Sequence, residues 1–182
     1  TFGDNEPPQA AAVFLSKSTY PVSFQDITLK NITVDADTLG RAPPLNFGLL
    51  VSSIYVKNGG DSSSLSRIQS SGVNIEIGRT HKDESSSIGG LIGSISGSTL
   101  KLKNSNISVN IALNAGPEGD ANADSLMFYI GGIAGYATDI EFDKDTLNPV
   151  LSFSGYGNKG ENILTGGLIG LIDGATSECS VA

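Results

Sequence analysis

The chain has 182 residues and a formal net charge of −8, from 19 acidic and 11 basic residues. That balance repels phosphate backbones and, with no basic stripe, argues against nucleic acid as a partner. The 23 glycines interrupt nearly every apolar run, which disfavours long helices and leaves no stretch near the ~20 apolar residues of a membrane span.

The first ten residues, with Pro7-Pro8, read as an N-terminal extension or linker. A repeat starts near residue 11 as Ala11-Ala12-Val13-Phe14-Leu15 and continues into Ile27-Thr28-Leu29-Lys30-Asn31-Ile32-Thr33-Val34, where apolar and polar residues alternate. Period-two alternation is the signature of a strand. Asp35 to Pro44 is polar and reads as a loop. A second, degraded copy starts near 47 with Phe47-Gly48-Leu49-Leu50 and leads to Val73-Asn74-Ile75-Glu76-Ile77.

After the polar stretch Gly78 to Ser87 comes the clearest copy, near 89: Gly89-Gly90-Leu91-Ile92-Gly93. The alternating runs Thr99 to Asn104 and Asn106 to Leu113 follow it. Asn114 to Ser125 is again polar. The fourth copy, near 131, is Gly131-Gly132-Ile133-Ala134-Gly135, followed by Ile140-Glu141-Phe142 and Val150-Leu151-Ser152-Phe153. Gly155 to Asn162 then leads to the fifth, near 166: Gly166-Gly167-Leu168-Ile169-Gly170.

Taking Ala12, Gly48, Gly90, Gly132 and Gly167 as marks, the steps are 36, 42, 42 and 35 residues. A period near 40 is of solenoid scale. No unit can bury its apolar face alone, whereas stacked units share a core and pair each strand with its equivalents. The expected fold is therefore all-β: a parallel β-helix (solenoid) over residues 11–182, right-handed like most parallel crossovers, with about four to five coils. Glycine is expected at coil corners, where a Cβ obstructs close backbone approach. Bulge glycines in a β-sandwich are the competing account. The expected inward residues are Leu91, Ile92, Leu100, Leu102, Ile107, Val109, Ile133, Ile140, Phe142, Leu168 and Ile169.

The last unit, Gly166 to Ala182, resembles the GLUG repeat, named for its Gly-Leu-hydrophobic-Gly core, with Cys179 at the position where that repeat often carries a cysteine. The heads at Gly89 and Gly131 match it without the cysteine. The resemblance implies a β-solenoid in a secreted or surface bacterial protein of adhesin-like type, and no shared catalytic residues. The chain stops at Ala182 within a repeat, as expected of a processed or excised piece.

Chemistry is sparse. His81, the single histidine, lies in the charged segment Arg79 to Glu84 with no Gly-x-Ser-x-Gly motif to serve, and reads as a solvated loop residue. Cys179 reads as a small apolar residue. Asp139, Glu141, Asp143 and Asp145 alternate along one segment with Ile140 and Phe142 between them, so the acids are expected to share an outward face. Asp120, Asn122 and Asp124 space three oxygen ligands as a weak structural calcium loop would, but Ser125 and Gly131 replace the expected Gly and closing Glu. No other cofactor is expected. Asn31-Ile32-Thr33 and Asn106-Ile107-Ser108 fit the glycosylation sequon, and asparagine ladders between strands explain them equally well.

Three functions follow. The first is a non-catalytic structural or adhesive segment, extracellular or at the cell surface. It would contact a host or cell-surface protein or glycan through the loops Gly78 to Ser87 and Asn114 to Ser125. The second is a filament or sheath subunit stacking end to end with copies of itself. The third is a carbohydrate-active β-helix enzyme, which lacks its convergent acid cluster.

Overall fold

In the computed structural model the described residues are 10–12, 14–35, 46–57, 59–77, 85–113, 127–153 and 162–173. They fall into five units. Unit 1 holds β1 (Ala10–Ala11), β2 (Leu15–Ser18), β3 (Ser23–Gln25), β4 (Thr28–Lys30) and β5 (Thr33–Asp35). Unit 2 holds β6 (Asn46–Phe47), β7 (Val51–Tyr55), β8 (Ser62–Ser66), β9 (Gln69–Ser71) and β10 (Val73–Ile77). Unit 3 holds β11 (Ser86–Gly89), β12 (Ile92–Lys103), β13 (Asn106–Ile107) and β14 (Val109–Leu113). Unit 4 holds β15 (Met127–Gly131), β16 (Ala134–Asp143), β17 (Thr146–Leu147) and β18 (Val150–Phe153), and unit 5 holds β19 (Asn162–Gly166) and β20 (Ile169–Ile172). There is no helix among the described residues.

The strands pair in parallel, each with its counterpart in the next unit. One sheet runs β1-β6-β11-β15-β19 and a second runs β2-β7-β12-β16-β20, extended by β3 and β8. A third runs β4-β9-β13-β17, and a fourth β5-β10-β14-β18. Parallel pairing throughout removes the β-sandwich alternative, whose sheets are antiparallel. The fold is thus all-β and parallel, as the repeat period required.

Register corrects the repeat by one residue. Ala11 faces Phe47, Phe47 faces Ile88, Ile88 faces Ile130 and Ile130 faces Thr165, so the steps are 36, 41, 42 and 35. Gly48 therefore corresponds to Gly89, not Gly90. Its surroundings agree. A Cβ on Gly48, Gly89, Gly131 or Gly166 would drive into the carbonyl oxygen three residues on, in Val51, Ile92, Ala134 and Ile169 respectively.

The glycine pairs sit at a corner, not within a strand. Gly89 ends β11, Gly90 and Leu91 turn, and Ile92 opens β12. In units 3 and 4 the tail of the motif then continues without a break into the alternating run, as one strand. Units 1 and 2 split that strand in two. Between β12 and β16 the register shifts between Ile95 and Thr99, where Gly97 takes φ 70° and absorbs extra residues as a bulge.

Inward positions stack in columns. Phe24, Leu65, Leu102 and Phe142 stand in register, with Leu65 and Leu102 fully buried. Burying one such leucine contributes roughly 1.5–3 kcal/mol. Of the expected inward residues, Leu91, Ile92, Leu100, Leu102, Ile107, Val109, Ile133 and Ile140 are buried. Phe142, Leu168 and Ile169 pack against the core half-buried, because fewer units cover them.

Serines interrupt these columns and satisfy the backbone beside them. Ser70 Oγ donates to Ser108 O at 3.0 Å and accepts from Ser108 N at 2.8 Å. Ser63 Oγ accepts from Val22 N at 3.2 Å, and Ser105 Oγ accepts from Ile68 N at 3.1 Å. Ser86 is the exception: its buried hydroxyl has no hydrogen-bond partner among the described residues.

A second corner follows the second sheet. Asp26, Arg67, Asn104 and Lys144 occupy it in units 1 to 4, all in the left-handed region at φ 58°, 53°, 50° and 57°. Their amides run along the stack: Asp26 N donates to Ser66 O, Arg67 N to Lys103 O and Asn104 N to Asp143 O. Asn31, expected in a strand, instead sits in the turn between β4 and β5 at φ 51°.

Candidate interaction surface

The outward residues of the second sheet form polar columns, because alternation sends every second side chain to solvent. Ser23 stands over Ser64, and their hydroxyls are 2.9 Å apart. Lys101 faces Glu141 across the ladder, with Nζ 3.2 Å from Oε2. Thr99 Oγ1 donates to Asp139 Oδ2 at 3.0 Å. Asp139, Glu141 and Asp143 thus lie on the outward face, as expected, opposite Thr99, Lys101 and Lys103. Asp139 and Glu141 are thus each engaged with a residue of the neighbouring strand.

Two further features were missed in the sequence. Arg67 Nε and Nη2 donate to Asp26 Oδ1 and Oδ2 at 2.5 and 2.8 Å, a bidentate pair joining units 1 and 2. The Arg67 guanidinium holds the Asp26 carboxyl at a pKa of about 2, with a smaller contribution from the Gln25 amide. The signal was available: the two residues are one repeat apart.

The second feature is aromatic. The rings of Tyr129 and Tyr136 lie 5.8 Å apart, tilted by 54°. Tyr136 Oη donates to Asp173 Oδ2 at 3.3 Å. Partial burial pushes the Tyr136 hydroxyl pKa up, and the Asp173 carboxylate adds to this. In register, Tyr129 continues the position of Asn46 and Ser87, and Tyr136 that of Ser53 and Ser94. Along the stack this strip therefore changes from small polar residues to a half-exposed ring pair beside a carboxylate. Such amphipathic rings supply contact area at interfaces while their hydroxyls stay hydrogen-bonded.

Asp145, expected on the same outward face, instead lies in the turn after β16, half-buried, where units 1 and 2 carry Ile27 and Ile68. Its carboxylate accepts from Ser105 N at 2.7 Å and Asp143 N at 3.0 Å. Burial raises its pKa, against the pull of those amides.

The glycines of the motif do structural work throughout. Gly89, Gly131 and Gly166 end the first-sheet strands, and Gly90, Gly132 and Gly167 make the corner. Gly93, Gly135 and Gly170 bring the second sheet against the backbone of the first: a Cβ there would strike Phe47, Ile88 and Ile130 respectively. Ser52 holds that place in unit 2 and donates to Asn46 O at 2.6 Å.

Asp120, Asn122, Asp124, His81 and Cys179 lie outside the described residues, as do most of both candidate contact loops. Ser86 and Ser87, placed in a loop from sequence, belong to β11. Among the described residues no group of three or more His, Cys, Asp or Glu side chains could hold a metal ion, and no helix is long and apolar enough to cross a membrane. No family model, curated protein or solved structure matches the chain.

Proposed function

We propose that the parallel ladders close into a right-handed β-solenoid of four to five coils, and that the chain is a non-catalytic, adhesive or structural segment of a secreted or cell-surface bacterial protein. The GLUG-like heads support the family assignment, and four parallel sheets built from equivalent strands support the coil. The observation that carries the functional reading is the outward face. Its charges pair between neighbouring units, so it is a regular, polar, laterally extended surface instead of a pocket. Such a surface suits binding to a host or cell-surface protein or glycan. The half-exposed Tyr129–Tyr136 pair adds an anchor of the kind that dominates interfaces.

The test is binding of the purified chain to cells and to immobilised glycans. Alanine replacement across 78–85 and 114–125, and separately Tyr136→Ala, is expected to reduce retention with the melting temperature preserved. Undiminished adhesion in all of these variants, or polysaccharide turnover by the chain that is lost in Asp143→Asn, overturns the reading.

A further inference from the structure

The end faces of the ladders complement one another. One column at the glycine corner holds Phe14, Leu50, Leu91, Ile133 and Leu168, each one residue before a registered pair. Leu50, Leu91 and Ile133 are fully buried. Phe14, at the start, is 54% exposed, covered on one side by the edge of Phe24 at 6.3 Å. Leu168, at the other end, is half-buried.

The backbone groups at the two ends also match. At this corner each unit donates forward: Leu50 N and Val51 N to Leu91 O, Leu91 N and Ile92 N to Ile133 O, and Ile133 N and Ala134 N to Leu168 O. By the same pattern, unit 5 offers the N–H groups of Leu168 and Ile169, and unit 1 offers the carbonyl of Phe14. Charge agrees in sign. Lys17 heads the column that ends at Leu171, and Asp173 stands two residues beyond Leu171, within diagonal reach across a ladder.

Gly167 marks the receiving face. A Cβ on Gly90 would strike Gly132 O, and one on Gly132 would strike the Pro149 ring and Gly167 O. At Gly167 nothing lies within 4 Å, and its φ is outside the left-handed region. No contact among the described residues requires glycine there, but a further unit stacked as unit 4 is on unit 3 and unit 5 on unit 4 would; unit 2 carries Leu49 at that position.

We propose that the unit-5 face of one copy docks on the unit-1 face of a second copy, with the parallel ladder continued across the joint. Leu168 N and Ile169 N donate to Phe14 O of the incoming copy, Phe14 covers Leu168, and Lys17 approaches Asp173. Pro21, which follows β2, has no N–H to offer a further strand, so the docking is confined to the glycine corner. The joint is heterologous, so it propagates into a filament. It depends on the stacked-coil part of the proposed function and not on adhesion.

The test is sedimentation velocity and electron microscopy of the full chain at rising concentration. End-to-end oligomers one subunit wide are expected. Gly167→Ala and Phe14→Asp each weaken association by about tenfold or more, because one obstructs the receiving face and the other charges the entering face. Strand-type circular dichroism and the melting temperature of Gly167→Ala stay as in the parent chain. Each variant keeps one intact face, so an equimolar mixture stops at the dimer. A parent chain that stays monomeric, or a two-fold dimer indifferent to both changes, overturns the proposal. Association without adhesion would instead retire the adhesive reading alone.

Discussion

Two of the corners in the stack are built on opposite terms. At the first, glycine stands where the backbone is ordinary but space is missing: Gly89, Gly131 and Gly166 have no positive φ, yet a Cβ on each would meet a carbonyl oxygen. At the second, φ is positive, where glycine is the usual choice, yet Asp26, Arg67, Asn104 and Lys144 stand there. The fold thus uses its repeated glycines for close approach between sheets, and accepts backbone strain where a side chain has somewhere to go.

The largest test of that contrast is Gly131→Ala. The new methyl would lie against Ala134 O, with Gly170 N at 2.6 Å and Ile169 Cα at 2.7 Å, all of it backbone. A loss of about 3 kcal/mol is expected in urea unfolding, since nothing flexible can give way. Equal stability of Gly131→Ala and the parent would break the steric account of this corner.

Next is Ser86→Ala, on the strand that enters the same corner. Its buried, unpartnered hydroxyl is expected to cost stability, so removing it should add about 1 kcal/mol. A destabilised variant would mean that the hydroxyl has a partner in solution. At the second corner, Lys144→Gly relieves a left-handed residue that is exposed, and is expected to gain roughly 0.5–1 kcal/mol. If thermal melting shows no gain there, φ strain does not distinguish the corners.

The smallest effect is one of pH. The folded pKa of Asp26 is lowered from 3.8 to about 2 by Arg67. A depressed carboxylate contributes stability above its unfolded pKa, and loses it as pH falls from 3.8 towards about 2. Both partners are exposed, so the effect is small and screened by salt. The shift in melting temperature between pH 5 and pH 2 should shrink in Asp26→Asn, and high salt should shrink it in the parent. Asp145 carries the opposite sign: burial raises its pKa, so its contribution is lost as pH rises through the folded value.

Much of this architecture was legible in the chain. Period-two alternation located β4, β5, β10 and β14, and recurring heads gave units that pair in order. The one-residue slip at Gly48 arose because Phe47-Gly48-Leu49 carries a single glycine where later units carry two, so either alignment satisfied the pattern. Strand register and the backbone contact with Val51 O separate them. The second corner was invisible for a different reason: its left-handed residues are not glycine, and Arg and Lys give no local turn signal. The Tyr129–Tyr136 contact joins two sheets across the glycine corner, so strand alternation could not reveal it. Ser86 was assigned to a loop for its polarity, whereas its place in register with Phe128 makes it inward.

The unequal steps of 36, 41, 42 and 35 residues have a consequence for size. Paired strands are separated by about 4.8 Å whatever lies between them in sequence. A long repeat and a short one therefore advance the array by the same increment, and the bulge at Gly97 shows where surplus residues go. Insertions between paired strands leave the reach of the ladders unchanged. Reach is counted in units, like the marks on a ruler, so a chain of this kind can vary what it displays at its flanks without altering how far it extends.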